Sequence, residues 1–314
     1  MAFKQTHTAL LPSFKVFLTI QEHNTIQINS LLVLKDGRLA SCSDDNNIKI
    51  YDSSFLNCDI EISKQHNYSV QNLSQLDNGT LISCDDWDSK INLWEISQKE
   101  YHLLHTLEGH KNTVNNVIPI DDDRIASCSW DCTIIIWNSK PPYNKISKLR
   151  GHKDIVNSII LLHSKEVLVS GSSDQKLIFW DMKTYKEIKK MDDIPCYNFY
   201  EVDSRRLVVG GYRTITVVNP VTYQVEAFIE DEDNGYYRSF IMLKNGHLLC
   251  GCGDGFKGFL CELDLWDYKI IEKREVHKKC VNSLVVIDEN SFASCSQDSL
   301  IKIWRINNIN TKCI

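Results

Sequence analysis

The segment SCSWDCTIIIW, residues 127–137, recurs in altered form along the chain. SCSDDNNIKIY lies at 41–51, SGSSDQKLIFW at 170–180 and SCSQDSLIKIW at 294–304, while SCDDWDSKINLW at 83–94 carries one extra residue. A serine, a small residue, an aspartate and an aromatic keep their offsets each time. A chain that repeats one small unit cannot bury the apolar face of that unit alone, so neighbouring units must stack on one another. That requirement narrows the fold more than any other property of the sequence.

The closing aromatics are Tyr51, Trp94, Trp137, Trp180, Trp266 and Trp304, and the first three intervals are 43 residues each. Between Trp180 and Trp266 lie 86 residues, room for one degenerate unit ending near Val218 in RTITVVNP. Seven units with a mean period of about 42 residues fit the length of a four-stranded propeller blade. Within the third unit, TVNNVIPI, RIASCS, TIIIW and KISKL read as short strands parted by polar turns. No segment sustains a helical period. The expected fold is therefore all-β, a seven-bladed β-propeller of four-stranded antiparallel blades.

Such a ring must close. After Trp304 too few residues remain for a fourth strand, whereas FKVFLTI (14–20) stands before His23 where HLLHTL and KISKL stand before later histidines. The N-terminal strand is expected to complete the last blade. One propeller spanning 14–306 follows, with residues 1–13 and 307–314 as short extensions.

The repeat resembles the WD-repeat (WD40-type) β-propeller family over essentially this whole span. GHKNTV (109–114), GHKDIV (151–156) and FWD (179–181) match its Gly-His and Trp-Asp signatures; QEHNTI, KQHNYSV and VHKKCV keep only the histidine. Five histidine-to-aromatic spacings of 27 or 28 residues strengthen the match. The resemblance implies a structural tetrad in each regular blade. The sets are His23, Ser41, Asp45 and Tyr51; His66, Ser83, Asp88 and Trp94; His110, Ser127, Asp131 and Trp137; His152, Ser170, Asp174 and Trp180; and His277, Ser294, Asp298 and Trp304. A buried indole N–H needs an acceptor, and a serine hydroxyl can accept it while passing its own proton to histidine. Ser, His and Asp also compose a hydrolase triad, but catalysis needs one triad in one pocket. Five copies at constant spacing point to fastening. The fifth unit lacks the tetrad residues, and the sixth places Asp233 and Cys250 in the histidine and serine slots, with about six extra residues before Trp266.

Net charge of −6 and a pI near 5.9 argue against nucleic-acid binding through bulk charge. No apolar run approaches a membrane span, and no secretory leader is evident at the N-terminus. The twelve cysteines include no CxxC pair, and Cys42, Cys84, Cys128 and Cys295 share one repeat slot. They read as reduced, buried thiols of a cytoplasmic or nuclear protein. No phosphate-loop lysine, HExxH or nucleophile elbow is present. GCGDGFKG (251–258) reads as a hairpin rather than a phosphate loop, and Cys250, Cys252 and Cys261 are at best a weak soft-metal candidate. No enzyme activity, cofactor or metal is expected.

Recognition is expected from the loops. In the family the resemblance points to, three positions per blade face the narrow top of the ring. One reads Gln27, Gln71, Asn115, Asn157, Asn198, Arg238 and Asn282; a second reads Thr25, Ser69, Thr113, Ile155, Cys196, Tyr236 and Cys280. The third, before the tetrad aspartate, includes Asp44, Trp87, Trp130, Ser173 and Gln297. The amides either contact a ligand or satisfy backbone groups around the channel. Trp87 and Trp130 are candidate partner contacts in neighbouring blades, since tryptophan is enriched in interface hot spots. The expected function is a non-catalytic scaffold or complex subunit that binds a peptide or protein segment on the top face. The alternative is the substrate receptor of a ubiquitin ligase.

Overall fold

A computed structural model of the chain describes residues 14–23, 26–164, 166–231 and 235–306. The expected Thr25 and Asp233 positions and both terminal extensions lie outside these residues. Twenty-eight strands form seven four-stranded antiparallel sheets, with no helix among the described residues. Blades one to six cover 28–62, 70–108, 114–150, 156–191, 198–230 and 236–277. Their innermost strands touch in cyclic order, and the strand at Val281–Asp288 returns to the one at Ile28–Val33.

Turn chemistry sets the meander. In four blades the tetrad aspartate accepts the N–H two residues ahead, as Thr133 N donates to Asp131 Oδ1 at 3.1 Å. The intervening residue, Asn46, Cys132, Gln175 or Ser299, is held at φ 62–66°. Aspartate thus closes the hairpin between the second and third strands by mimicking a backbone turn. The apolar faces meet between blades: Ile134 and Ile136 of blade three pack in one cluster with Val156, Leu168 and Trp180 of blade four. Cys128 joins that cluster, while Cys42 and Cys84 hold the same place in two others. Burial pushes these thiols far above the ordinary range. Blade four has Gly171 in that slot, because a Cβ there would collide with the Cys196 side chain.

Blades five and six dispense with the tetrad. Val209 and Val218 occupy its serine and tryptophan places in blade five, Cys250 and Leu263 in blade six. A large apolar cluster from Val208, Val217, Tyr237, Phe240, Leu248 and Leu263 joins the two blades instead. Trp266 is therefore not the closing aromatic expected from the repeat. Leu263 pairs with Leu248 as Trp137 pairs with Ile125, and Trp266 stands in the following turn, 91% exposed. The added length in blade six is shorter than expected by the same three residues. GCGDGFKG forms the hairpin between the strands Leu248–Gly253 and Gly258–Asp264.

The ring closes through the N-terminal strand. Phe14–Ile20 runs antiparallel to Ile301–Ile306, pairing Phe14 with Ile306 and Ile20 with Ile301. Phe14 locks the joint: its ring meets Phe292 and Trp304 edge-on at 5.5 and 5.8 Å, and Arg274 lies over it at 4.7 Å. Arg274 also donates to the Phe14 carbonyl at 3.1 Å. Replacing Phe14 by alanine is expected to cost about 3–5 kcal/mol in equilibrium urea unfolding. The same change at half-exposed Phe17 is expected to cost less than about 1 kcal/mol. Equal losses would refute the role given to Phe14.

Candidate functional site

The five tetrads are built around a serine hydroxyl with no exposure. In blade three Trp137 Nε1 donates to Ser127 Oγ at 2.8 Å, and Ser127 donates to His110 Nε2 at 2.8 Å. His110 Nδ1 donates to Asp131 at 3.1 Å. The indole N–H can only donate and the carboxylate can only accept, so a neutral His110 carries its proton on Nδ1 and takes the serine's hydrogen bond on Nε2. Blades four and seven repeat the arrangement: Trp180 with Ser170, His152 and Asp174, and Trp304 with Ser294, His277 and Asp298. A hydroxyl with no exposure that is bonded to a buried imidazole cannot reach a substrate, so none of the five serines is a nucleophile.

Two tetrads depart from expectation. In blade two the partner of His66 is Asp85, at 3.0 Å, and not Asp88, which accepts from Asn67 at 2.6 Å. The extra residue of this turn moves Asp88 outward. Asp85 stands where other blades place a second serine, such as Ser129 or Ser172, and its longer side chain reaches the histidine. That second serine is a recurring device in its own right. Ser129 donates to the Asn112 carbonyl at 3.0 Å and accepts the Asp131 N–H at 3.0 Å. In blade one His23 binds Ser41 and Asp45 at 2.8 Å each, but the buried Tyr51 hydroxyl lies beside Ser41 without a hydrogen-bonding geometry.

Above these fasteners the first strands enclose a channel of about 460 Å³, lined mainly by amides. Each first strand except that of blade five carries a bulge opposite the second strand at one place. The bulged residues are Asn29, Gln71, Asn115, Asn157, Arg238 and Asn282, re-aimed by the extra residue. Five junctions are then clasped by an asparagine donating to a carbonyl of the next blade. Asn29 reaches Val70, Asn115 reaches Val156, Asn157 reaches Cys196, Asn198 reaches Arg238 and Asn282 reaches Ile28, at 2.5–3.0 Å. Most of the expected amides are thus committed to holding blades together. Gln27, assigned to this belt from the repeat, lines the channel two residues earlier, at the place Thr113 holds in blade three, and Asn29 takes the belt position. Gln71 donates within its own blade to Ser69 at 2.8 Å, and Arg238 makes no clasp.

Trp130 and Trp87 are not equivalent. Trp130 stands at the channel, 45% exposed, with its N–H donated to Asn115 Oδ1 at 2.7 Å. Asp86 holds the matching place in blade two, as the bond from its N–H to the Ser69 carbonyl matches that from Trp130 to Thr113. Trp87 is the inserted residue, 77% exposed, tilted against Tyr68 and away from the channel lining. Beside Trp130 the lining continues with Ile155, one of the expected top-face positions, and with Tyr197, which no pattern in the sequence marked. Tyr236 lies behind, 4.7 Å from Tyr197 and under the Arg238 guanidinium. Cys252 and Cys261 approach to 3.4 Å, but among the described residues no cluster of three metal-type ligands forms there.

The tetrads make stability depend on acidity. Burial holds His152 and His277 below the ordinary imidazole value, against the pull of Asp174 and Asp298. Desolvation would raise Asp131, but the bonds from His110 and Thr133 outweigh it and hold the carboxyl well below its usual range. An unfolded chain therefore takes up protons that the folded one refuses, first on histidine below about pH 6.5, then on aspartate below about pH 4. The unfolding midpoint is expected to fall steadily on acidification from about pH 7.5 to about pH 5; a flat profile would contradict this. Asp85→Ala is expected to destabilise by about 3 kcal/mol, near the effect of Asp131→Ala. Asp88→Ala should stay within about 0.5 kcal/mol. The reverse order would restore Asp88 to the tetrad.

The family model described as "WD domain, G-beta repeat" matches residues 14–52, 101–138, 143–181 and 269–305. A CCR4-associated factor 4 homolog of Candida glabrata is 34% identical over 122 residues, 36% of this chain and 21% of that protein. A ribosome biogenesis protein WDR12 homolog of Nematostella vectensis is 26% identical over 175 residues, 46% of this chain and 41% of that one. Nuclear distribution protein nudF of Aspergillus flavus is 37% identical over 103 residues, 32% and 22% of the two chains. The chain spans less than half the length of these relatives. With four matched repeats, five tetrads and seven blades closed into a ring, the chain belongs to the WD-repeat β-propeller family.

Proposed function

We propose that this chain is a non-catalytic interaction module that holds a peptide or protein segment at the channel mouth, as a subunit of a larger intracellular complex. Residues 14–306 act as one propeller in this reading. The observation that carries it is the sector formed by Trp130, Ile155 and Tyr197 in a lining otherwise made of amides, serines and one arginine. The Trp130 N–H is already satisfied by Asn115, so the indole offers an apolar face without a polar penalty. Such an anchored ring loses little freedom on binding. The names of the relatives, a CCR4-associated factor, a ribosome biogenesis protein and a nuclear distribution protein, are compatible with shared assemblies. The ubiquitin-ligase alternative has no observation of its own.

Trp130→Ala is expected to weaken partner binding by at least about 2 kcal/mol, roughly thirtyfold, with the fold intact. Proximity labelling in cells, with wild type and the variant at equal expression, reads this as loss of a defined set of neighbours. Trp87→Ala, outside the channel, should spare that set. Retention of every neighbour by the Trp130 variant would refute the site.

A further inference from the structure

Arg238 is the only charged side chain among the described residues that line the channel. It occupies the bulge position where most other blades have a clasping amide, so the ring gives up one inter-blade fastening to place a cation there. No carboxylate among the described residues lies within ion-pair distance of it, although the chain carries net charge −6. Its Nε is buried without a hydrogen-bond partner, and its guanidinium stacks on Tyr236 at 5.0 Å. A half-buried guanidinium without a counter-charge is costly unless something supplies one.

We propose that Arg238 receives a single carboxylate from the bound segment, either an acidic side chain or a free C-terminus. This rests on the reading of the channel as a peptide site. Stacking on Tyr236, itself braced by Tyr197 at 4.7 Å, holds the planar fork in place before the ligand arrives. A carboxylate matches that fork with two parallel hydrogen bonds. The three tyrosines at this junction do not form a cage for a methylated ammonium. Arg238 and Arg213 already lie over Tyr236 and Tyr212, and a third cation would be repelled. A phosphate is disfavoured as well. One guanidinium leaves a dianion undercompensated, and two blades round the ring Asn29 holds the Asp44 carboxylate near the lining. One negative charge fits.

The test is affinity selection by the full chain from three short-peptide libraries. One has a free C-terminus and no Asp or Glu, one an amidated C-terminus with a single internal acid, and one is amidated and acid-free. Wild type is expected to enrich one of the first two roughly tenfold over the third, and which one identifies the source of the carboxylate. R238Q should abolish that preference and R238K retain part of it. Trp130→Ala should lower total retention while keeping the acid preference. Equal enrichment of the acid-free library, or an unchanged preference in R238Q, overturns the proposal while leaving peptide binding standing. Failure of wild type to retain any library overturns both. If R238Q does not fold, the three-way comparison on wild type still decides.

Discussion

The structure depends on a serine hydroxyl that is wholly buried and wholly used. It accepts a hydrogen bond from an indole of the third strand and donates one to a histidine in the loop that enters the blade. That histidine is held in turn by an aspartate in the turn between the second and third strands. One small group thus ties three separate parts of a blade. The low dielectric around it makes each bond strong and makes the loss of any partner expensive. The outer loops are then rigid at their bases, as a recognition surface requires.

Much of this was legible from spacing alone, because the tetrad needs particular residue types at particular offsets. Trp137, Ser127, His110 and Asp131 could be placed by counting, and so could the closing strand at 14–20. Counting failed where length changed. One added residue moved Asp88 away from His66 and let Asp85 in, and it put Trp87 where no other blade has a residue. Trp266 fell at the expected period, but strand register puts Leu263 in the core and leaves the tryptophan in solvent. Blade one was offset by two residues in the channel belt, so Gln27 stood in for Asn29. Periodicity reports where a residue lies along the chain; hydrogen-bond register reports which way it faces.

The channel belt carries two kinds of information at once. Asparagines at five junctions are spent on the carbonyls of neighbouring blades, so a recurring amide is mostly architecture. The specificity lies in the exceptions. Trp130 and Arg238 each interrupt a repeated pattern, and a repeat that is broken inside a shared cavity is a better guide to binding than one that is kept. Ile155, already placed on the top face by the repeat, completes the same sector with Tyr197, which has no motif of its own and comes to notice only in the assembled ring.

Closure by the N-terminal strand has a consequence for how the chain is made. The strand at 14–20 leaves the ribosome well before its partner at 301–306. At about 5–20 residues per second, that separation corresponds to roughly 15–60 s of synthesis. Throughout that time the apolar segment Val16, Phe17 and Leu18 has no native partner strand and is open to pairing with other unpaired chain. The blades between can form as they emerge, each on its predecessor, yet the circle itself is completed in one late step. Keeping the segment at 14–20 apart from other unpaired edges until 301–306 emerges is therefore a requirement of this topology.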